Sequence, residues 1–112
     1  MKIENIQAQM RKGILEYCIL AIIGKGEIYA SDIIEQLKEA ELIVVEGTLY
    51  PLLNRLKNAG FLTYNWKESM MGPPRKYYTI TAEGETFLTE LHTTWNKLST
   101  TVEKLTNQST NS

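Results

Sequence analysis

The sequence is poor in residues that carry catalytic or covalent chemistry. Cys18 is the only cysteine among 112 residues, and His92 is the only histidine. A lone thiol excludes an internal disulfide and fits a reducing compartment. Cys18 lies within YCILAII and suits a core thiol, whereas His92 reads as a surface residue of the last helix. No carboxylate pair, phosphate loop or metal-ligand spacing is present, and GKG at 24–26 is too short for a nucleotide motif. These absences argue against an enzyme, and no cofactor or metal is expected. Long apolar runs are missing too. YCILAIIG is far too short to span a bilayer, and MKIENIQAQMRKG lacks the apolar stretch of a signal peptide. The expectation is a single-domain, soluble, cytoplasmic protein with no membrane partner.

An excess of one charge is also lacking. The formal net charge of −1 gives no global signature of a polyanionic partner. The charge is nevertheless segregated along the chain. Residues 27–46 hold Lys38 against Glu27, Asp32, Glu35, Glu39, Glu41 and Glu46, whereas 47–80 hold Arg55, Lys57, Lys67, Arg75 and Lys76 against Glu68 alone.

Hydrophobic spacing predicts a mainly α fold with a minor β component. A first helix, over about residues 5–23, carries two apolar stripes. Leu15, Cys18, Ile19, Ile22 and Ile23 suit a domain core, while Ile3, Ile6, Met10, Ile14, Tyr17 and Ala21 form a second stripe that needs another partner. The glycines of GKGE end this helix. Ser31 is a good N-cap for a second helix, with Ile33, Ile34 and Leu37 inward. ELIVV then reads as a short buried connection. The stretch GTLYPLLNRLKNAGFL, 47–62, is a third helix ended by Gly60. FLTYNWKE and RKYYTI read as two strands, joined by a tip made of SMMGPP. Thr81 is the expected N-cap of a last helix running to about residue 106. Three helices followed by a hairpin is the order of a winged helix-turn-helix. That unit is expected over 1–80, a dimerisation helix over 81–106 and a disordered tail over 107–112.

The third helix has an unusual outer face. Leu49, Leu52, Leu53 and Leu56 point inward, which leaves Gly47, Pro51, Asn54, Arg55 and Asn58 outside, flanked by Thr48 and Tyr50. From Gly47 to Asn58 there is no acid. In a winged arrangement this helix enters the major groove by its N-terminal part. Gly47 and Pro51 keep it slim, and Thr48, Tyr50, Asn54 and Arg55 supply donors to phosphates and base edges. Asn pairs with adenine and Arg with guanine in bidentate fashion, so Asn54 and Arg55 are the expected sequence readers. Arg75 and Lys76, after two stiffening prolines, would take backbone phosphate or the minor groove. The competing readings are an ordinary solvated helix face and a solubilised strand edge.

GTLYPLLNRLKNAGFL, GPPRKYY and TITAEGETFL, in that order, resemble the PadR family of bacterial transcriptional regulators over roughly residues 12–91. The resemblance implies a winged helix-turn-helix that binds a pseudo-palindromic operator as a homodimer, usually as a repressor. The length matches the short branch with one C-terminal dimerisation helix. Thr48, Tyr50, Pro51 and Arg55 match the recognition-helix motif, and Arg75, Lys76 and Tyr78 match the wing. Relatives often place a small polar cap before the third helix, where this chain has Val44 and Val45.

Leu91, Trp95, Leu98, Val102 and Leu105 recur at heptad spacing on the last helix, a seam short of a partner in its own chain. With Met10 and Ile14 of the first helix they form the expected dimer interface. Two Trp95 side chains near a two-fold axis would make a slot for a planar aromatic small molecule, lined also by Tyr17. Some short relatives resemble multidrug sensors with such a pocket. The simpler alternative is that Trp95 only fills the interface. The rival to DNA binding is a winged-helix protein–protein adaptor, favoured by the near-neutral charge and the acidic second helix.

Overall fold

The computed structural model describes residues 1–107. Its elements are α1 (Ile3–Gly24), β1 (Ile28–Tyr29), α2 (Ala30–Glu39), α3 (Glu46–Asn58), β2 (Leu62–Ser69), β3 (Gly72–Ile80) and α4 (Ala82–Thr106). This is the expected winged helix-turn-helix, mainly α, with a long C-terminal helix. The sheet has three strands in the order β1-β3-β2, all antiparallel, rather than the expected two. Of the expected tail, 108–112 lie outside the described residues, and Asn107 is the C-cap residue of α4.

The core gathers one face of each of the first three helices. Ile19, Leu20, Ile33, Leu49 and Leu53 are fully buried, closed over by Leu62 and Tyr78 from the wing base. Leu20 belongs to neither of the stripes read from α1, and it is buried because helices and sheet enclose that part of α1 from more than one side. The turns that follow α2 and α3 use the same device. After α2, Glu41 takes a left-handed φ of 66°, while Leu42 N donates to Leu37 O at 2.7 Å and Glu41 N to Lys38 O at 2.9 Å. After α3, Gly60 adopts φ 89°, with Phe61 N on Leu56 O and Gly60 N on Lys57 O, both at 2.9 Å. These are six-to-one and five-to-two closures that satisfy the last carbonyls of each helix.

Several local expectations are corrected. Gly24 lies inside α1, and Lys25 caps it. The N-cap of α2 is Tyr29, not Ser31, because β1 pairs with β3 up to that residue and the helix starts at once. ELIVV is not buried throughout: Val44 is, but Ile43 and Val45 are 71% and 65% exposed. Gly72, Pro73 and Pro74 belong to β3 rather than to the turn, with Ser69 facing Gly72 and a register shift between Lys67 and Ser69. The irregularity falls where proline can supply no ladder donor.

Thr81 does cap α4, and it does more. Its Oγ1 accepts from Gly84 N at 2.9 Å and donates to the Gly60 carbonyl at 2.7 Å, while its amide donates to Phe61 O at 3.0 Å. One threonine thereby ties the end of α3 to the start of α4. Phe61 and Phe87 stack beside this junction, with centroids 4.1 Å apart.

Candidate nucleic-acid interface

The outer face of α3 is set by its start. Val45 is the N-cap residue and makes no side-chain cap bond, so Glu46 opens the helix and Pro51 is its sixth residue. At that depth Pro51 removes the amide that would have bonded the Gly47 carbonyl. Leu49, Leu53 and Leu56 are buried, while Gly47, Thr48, Tyr50, Pro51, Asn54 and Arg55 are exposed. A side chain at Gly47 would meet nothing within 4 Å. Nothing inside the fold therefore requires glycine at this position.

Beside Tyr50, the wing builds a cleft of about 410 Å³ lined by Tyr29, Trp66, Arg75, Lys76 and Tyr78. Its cations are positioned by aromatic rings. Arg75 Nη1 donates to Tyr29 OH at 2.5 Å, and the guanidinium lies 4.6 Å from that ring's centroid. Lys76 Nζ sits 4.2 Å from the Tyr64 centroid and 5.5 Å from that of Trp66. Each such contact is worth about 0.5–1 kcal/mol at an exposed site, enough to bias a rotamer. Lys67 faces Arg75 directly across the ladder, a like-charge pair that costs energy unless each cation is held elsewhere. Lys67 is ion-paired with Glu27, and Arg75 leans on Tyr29. Burial pushes the Tyr78 hydroxyl above its ordinary 10.0, with smaller contributions from Tyr50 and Tyr64. It stays a neutral phenol beside these cations.

The residues singled out from the sequence do not share one environment. Tyr50, Arg75 and Lys76 line the wing cleft. Thr48 and Pro51 border a separate apolar groove of about 550 Å³, with Leu15, Ile43 and Val45. Arg55 turns toward α1, where its Nε lies 3.5 Å from Glu16 Oε2 at the lip of a third cleft floored by Phe61 and Phe87. Asn54 is exposed on the middle of α3. Sequence reasoning missed Tyr29 and the cleft role of Trp66. Tyr29 lies on a two-residue strand, too short for any periodicity to mark.

Tyr17, which lines the same cleft as Arg55 and Glu16, has its OH 2.6 Å from His92 Nδ1, joining α1 to α4. His92 is exposed, as read, but it is bonded rather than idle. Leu91, counted in the dimer seam, is half-buried against this chain's own core. Beyond it, Trp95, Leu98, Val102 and Leu105 are 41%, 53%, 49% and 81% exposed, and Met10 is 69% exposed. Ile14 is half-buried. Cys18 is a free, half-buried thiol whose pKa burial raises above 9.0. No described helix is long and apolar enough to cross a membrane.

Residues 19–90 match the family model described as the transcriptional regulator PadR-like family. A solved PadR-like transcription factor from Bacteroides fragilis is 60% identical, covers 90% of this chain and 98% of its own, and superposes with a TM-score of 0.76. The negative transcriptional regulator PadR of Bacillus subtilis is 34% identical over 83 residues, which are 70% of this chain and 43% of that protein. This chain therefore spans less than half the length of that relative. The Bacillus subtilis PadR has been solved in complex with operator DNA, and that structure matches at 30% identity and a TM-score of 0.65 over 70% of this chain and 46% of its own. By the family match across most of its length, the chain belongs to the PadR-like family of transcriptional regulators.

Proposed function

We propose that this protein binds a pseudo-palindromic DNA operator as a homodimer and represses transcription from it. One observation carries the reading: an outer face of α3 with no acid beyond Glu46 in its first turn meets, at Tyr50, two wing cations oriented by aromatic rings. A helix face whose one acid is its first residue, together with a cationic wing, suits a major groove and its flanking phosphates. Asn54 is assigned to adenine. Arg55 is assigned to guanine, which requires it to leave Glu16. Thr48, Tyr50, Arg75 and Lys76 take phosphate, and Gly47 and Pro51 permit close approach. The operator complex and negative role of the Bacillus subtilis relative support carrying this activity over.

The exposed stripe of α4, with Met10 and Ile14 of α1, supplies the self-association surface. Leu91 contributes only at its inner edge. A dimer on successive half-sites sets the two α3 helices about one DNA turn apart, roughly 34 Å. Facing Trp95 rings, bordered by Tyr17, form the slot through which a planar aromatic effector releases the operator.

Fluorescence anisotropy on duplex DNA over a series of salt concentrations tests the binding. Affinity should fall steeply with salt, because phosphate contacts release counterions. A folded protein with no salt-dependent DNA association would favour a protein–protein adaptor instead. Sedimentation at micromolar concentration should give a dimer, and a monomer would remove the symmetric operator. In a Trp66→Phe background, planar aromatics should quench Trp95 saturably; a flat response would leave Trp95 as interface filler.

A further inference from the structure

The wing tip is unlike an ordinary hairpin turn. Tight turns usually carry Gly, Asn, Asp or Ser, which tolerate the turn backbone and face water. Here the two turn residues between β2 and β3 are Met70 and Met71, 100% and 93% exposed. Both side chains stand beyond the last cross-strand pair, Ser69 with Gly72.

Three features argue that this apolar tip has a polyanionic partner. Lys67 and Arg75 face each other just behind it, and Lys76 is next along β3. Glu68 is the one acid on the same arm, and Glu27 is already taken up by Lys67. The tip is also stiffened: Pro73 and Pro74 fix φ on one strand, and Met71 N donates to Ser69 Oγ at 3.3 Å across the turn. A stiff apolar point ahead of a collar of cations has the chemistry of a side-chain wedge in a DNA minor groove. The cations hold the phosphates on either side while the methionines meet the base edges.

We propose that Met70 and Met71 form a wedge that enters the minor groove beside the segment held by α3 and partly unstacks one base step there. The inference rests on the DNA-binding reading and adds a determinant at positions that α3 does not touch. Pyrimidine–purine steps open most easily, so the wedge favours sites that carry one under the wing.

The test uses the full-length protein and duplex fragments it enriches from genomic DNA, synthesised with 2-aminopurine at steps flanking the centre. The parent protein should raise 2-aminopurine fluorescence at one flanking step and bend the fragment. The Met70→Ser, Met71→Ser variant should lose that rise and bind roughly tenfold more weakly, with an unchanged salt slope because no cation is removed. The Met70→Leu, Met71→Leu variant should restore both. Parent and serine variant with equal fluorescence and affinity would overturn the wedge alone. A parent that binds no duplex would overturn the DNA reading, and the wedge with it. Loss of affinity together with a shallower salt slope would also overturn it, because the tip would then be serving only to place the cations.

Discussion

Tyr29 accepts a hydrogen bond from Arg75 Nη1 at 2.5 Å and lies beneath the same guanidinium. One residue of a two-residue strand thus decides where a wing cation points. Tyr29→Ala should weaken binding to specific and non-specific duplexes alike, by roughly three- to tenfold, because Arg75 loses its orientation but not its charge. Tyr29→Phe keeps the ring and should retain most of the affinity. Anisotropy titrations on both kinds of duplex check this. A loss confined to specific sites would mean that Tyr29 touches bases itself.

Arg55 is ion-paired with Glu16 at 3.5 Å, so in the proposed complex Glu16 competes with DNA for it. Arg55 remains largely exposed, so the pair is weak and opens at little cost. Glu16→Gln should tighten DNA binding several-fold and steepen its salt dependence. Arg55→Ala should relax specificity at one operator position, whereas Arg75→Ala should weaken all sequences similarly. Uniform losses for both arginines would contradict a base-reading role for Arg55.

Two glycines should respond in opposite ways. At Gly47 an added methyl meets open space, so Gly47→Ala should leave stability unchanged or raise it by up to about 1 kcal/mol. It should nevertheless weaken DNA binding by crowding the groove. At Gly84 the same methyl would sit 2.1 Å from the Phe61 carbonyl oxygen and 2.7 Å from Ile80. Gly84→Ala should therefore cost about 3 kcal/mol and lower the melting temperature by roughly 10 °C or more. Thermal unfolding of the two variants beside their DNA titrations reads both effects.

The pH dependence has a fixed sign at its alkaline end. Burial raises the Cys18 thiol above 9.0 and the Tyr78 hydroxyl above 10.0. Both groups hold their protons more tightly folded than unfolded. Their contribution is therefore fully present below about pH 9 and is lost as pH climbs through the raised folded values. Chemical denaturation between pH 8 and 10.5, on the order of the span these groups cover, should show a falling unfolding free energy. The same burial keeps Cys18 a thiol at neutral pH, so iodoacetamide should modify it more slowly than a free cysteine.

Much of the fold was legible because helices repeat their signals. The leucines of α3 and the cap of α4 at Thr81 stand where spacing and side-chain chemistry placed them. What escaped were features without local periodicity. The strand of Ile28 and Tyr29 exists only because β3 pairs with it, and that pairing moves the start of α2 ahead of Ser31. The helical wheel placed Arg55 beside Asn54, but only the packing of α1 could bring Glu16 to it. Likewise His92 looked idle until α4 laid it against Tyr17. The candidate DNA contacts were readable as residue types, and their division among three surroundings was not.

Operator binding by a symmetric dimer is tested most directly by enrichment of genomic fragments with the purified protein at low and high salt. A dimeric operator-binding protein should give one sharp peak at low salt that contains an inverted repeat, with half-sites about one helical turn apart, and that weakens at high salt. A folded, dimeric protein that enriches no fragment at low salt, even after denaturation and refolding to strip a bound effector, would contradict operator binding.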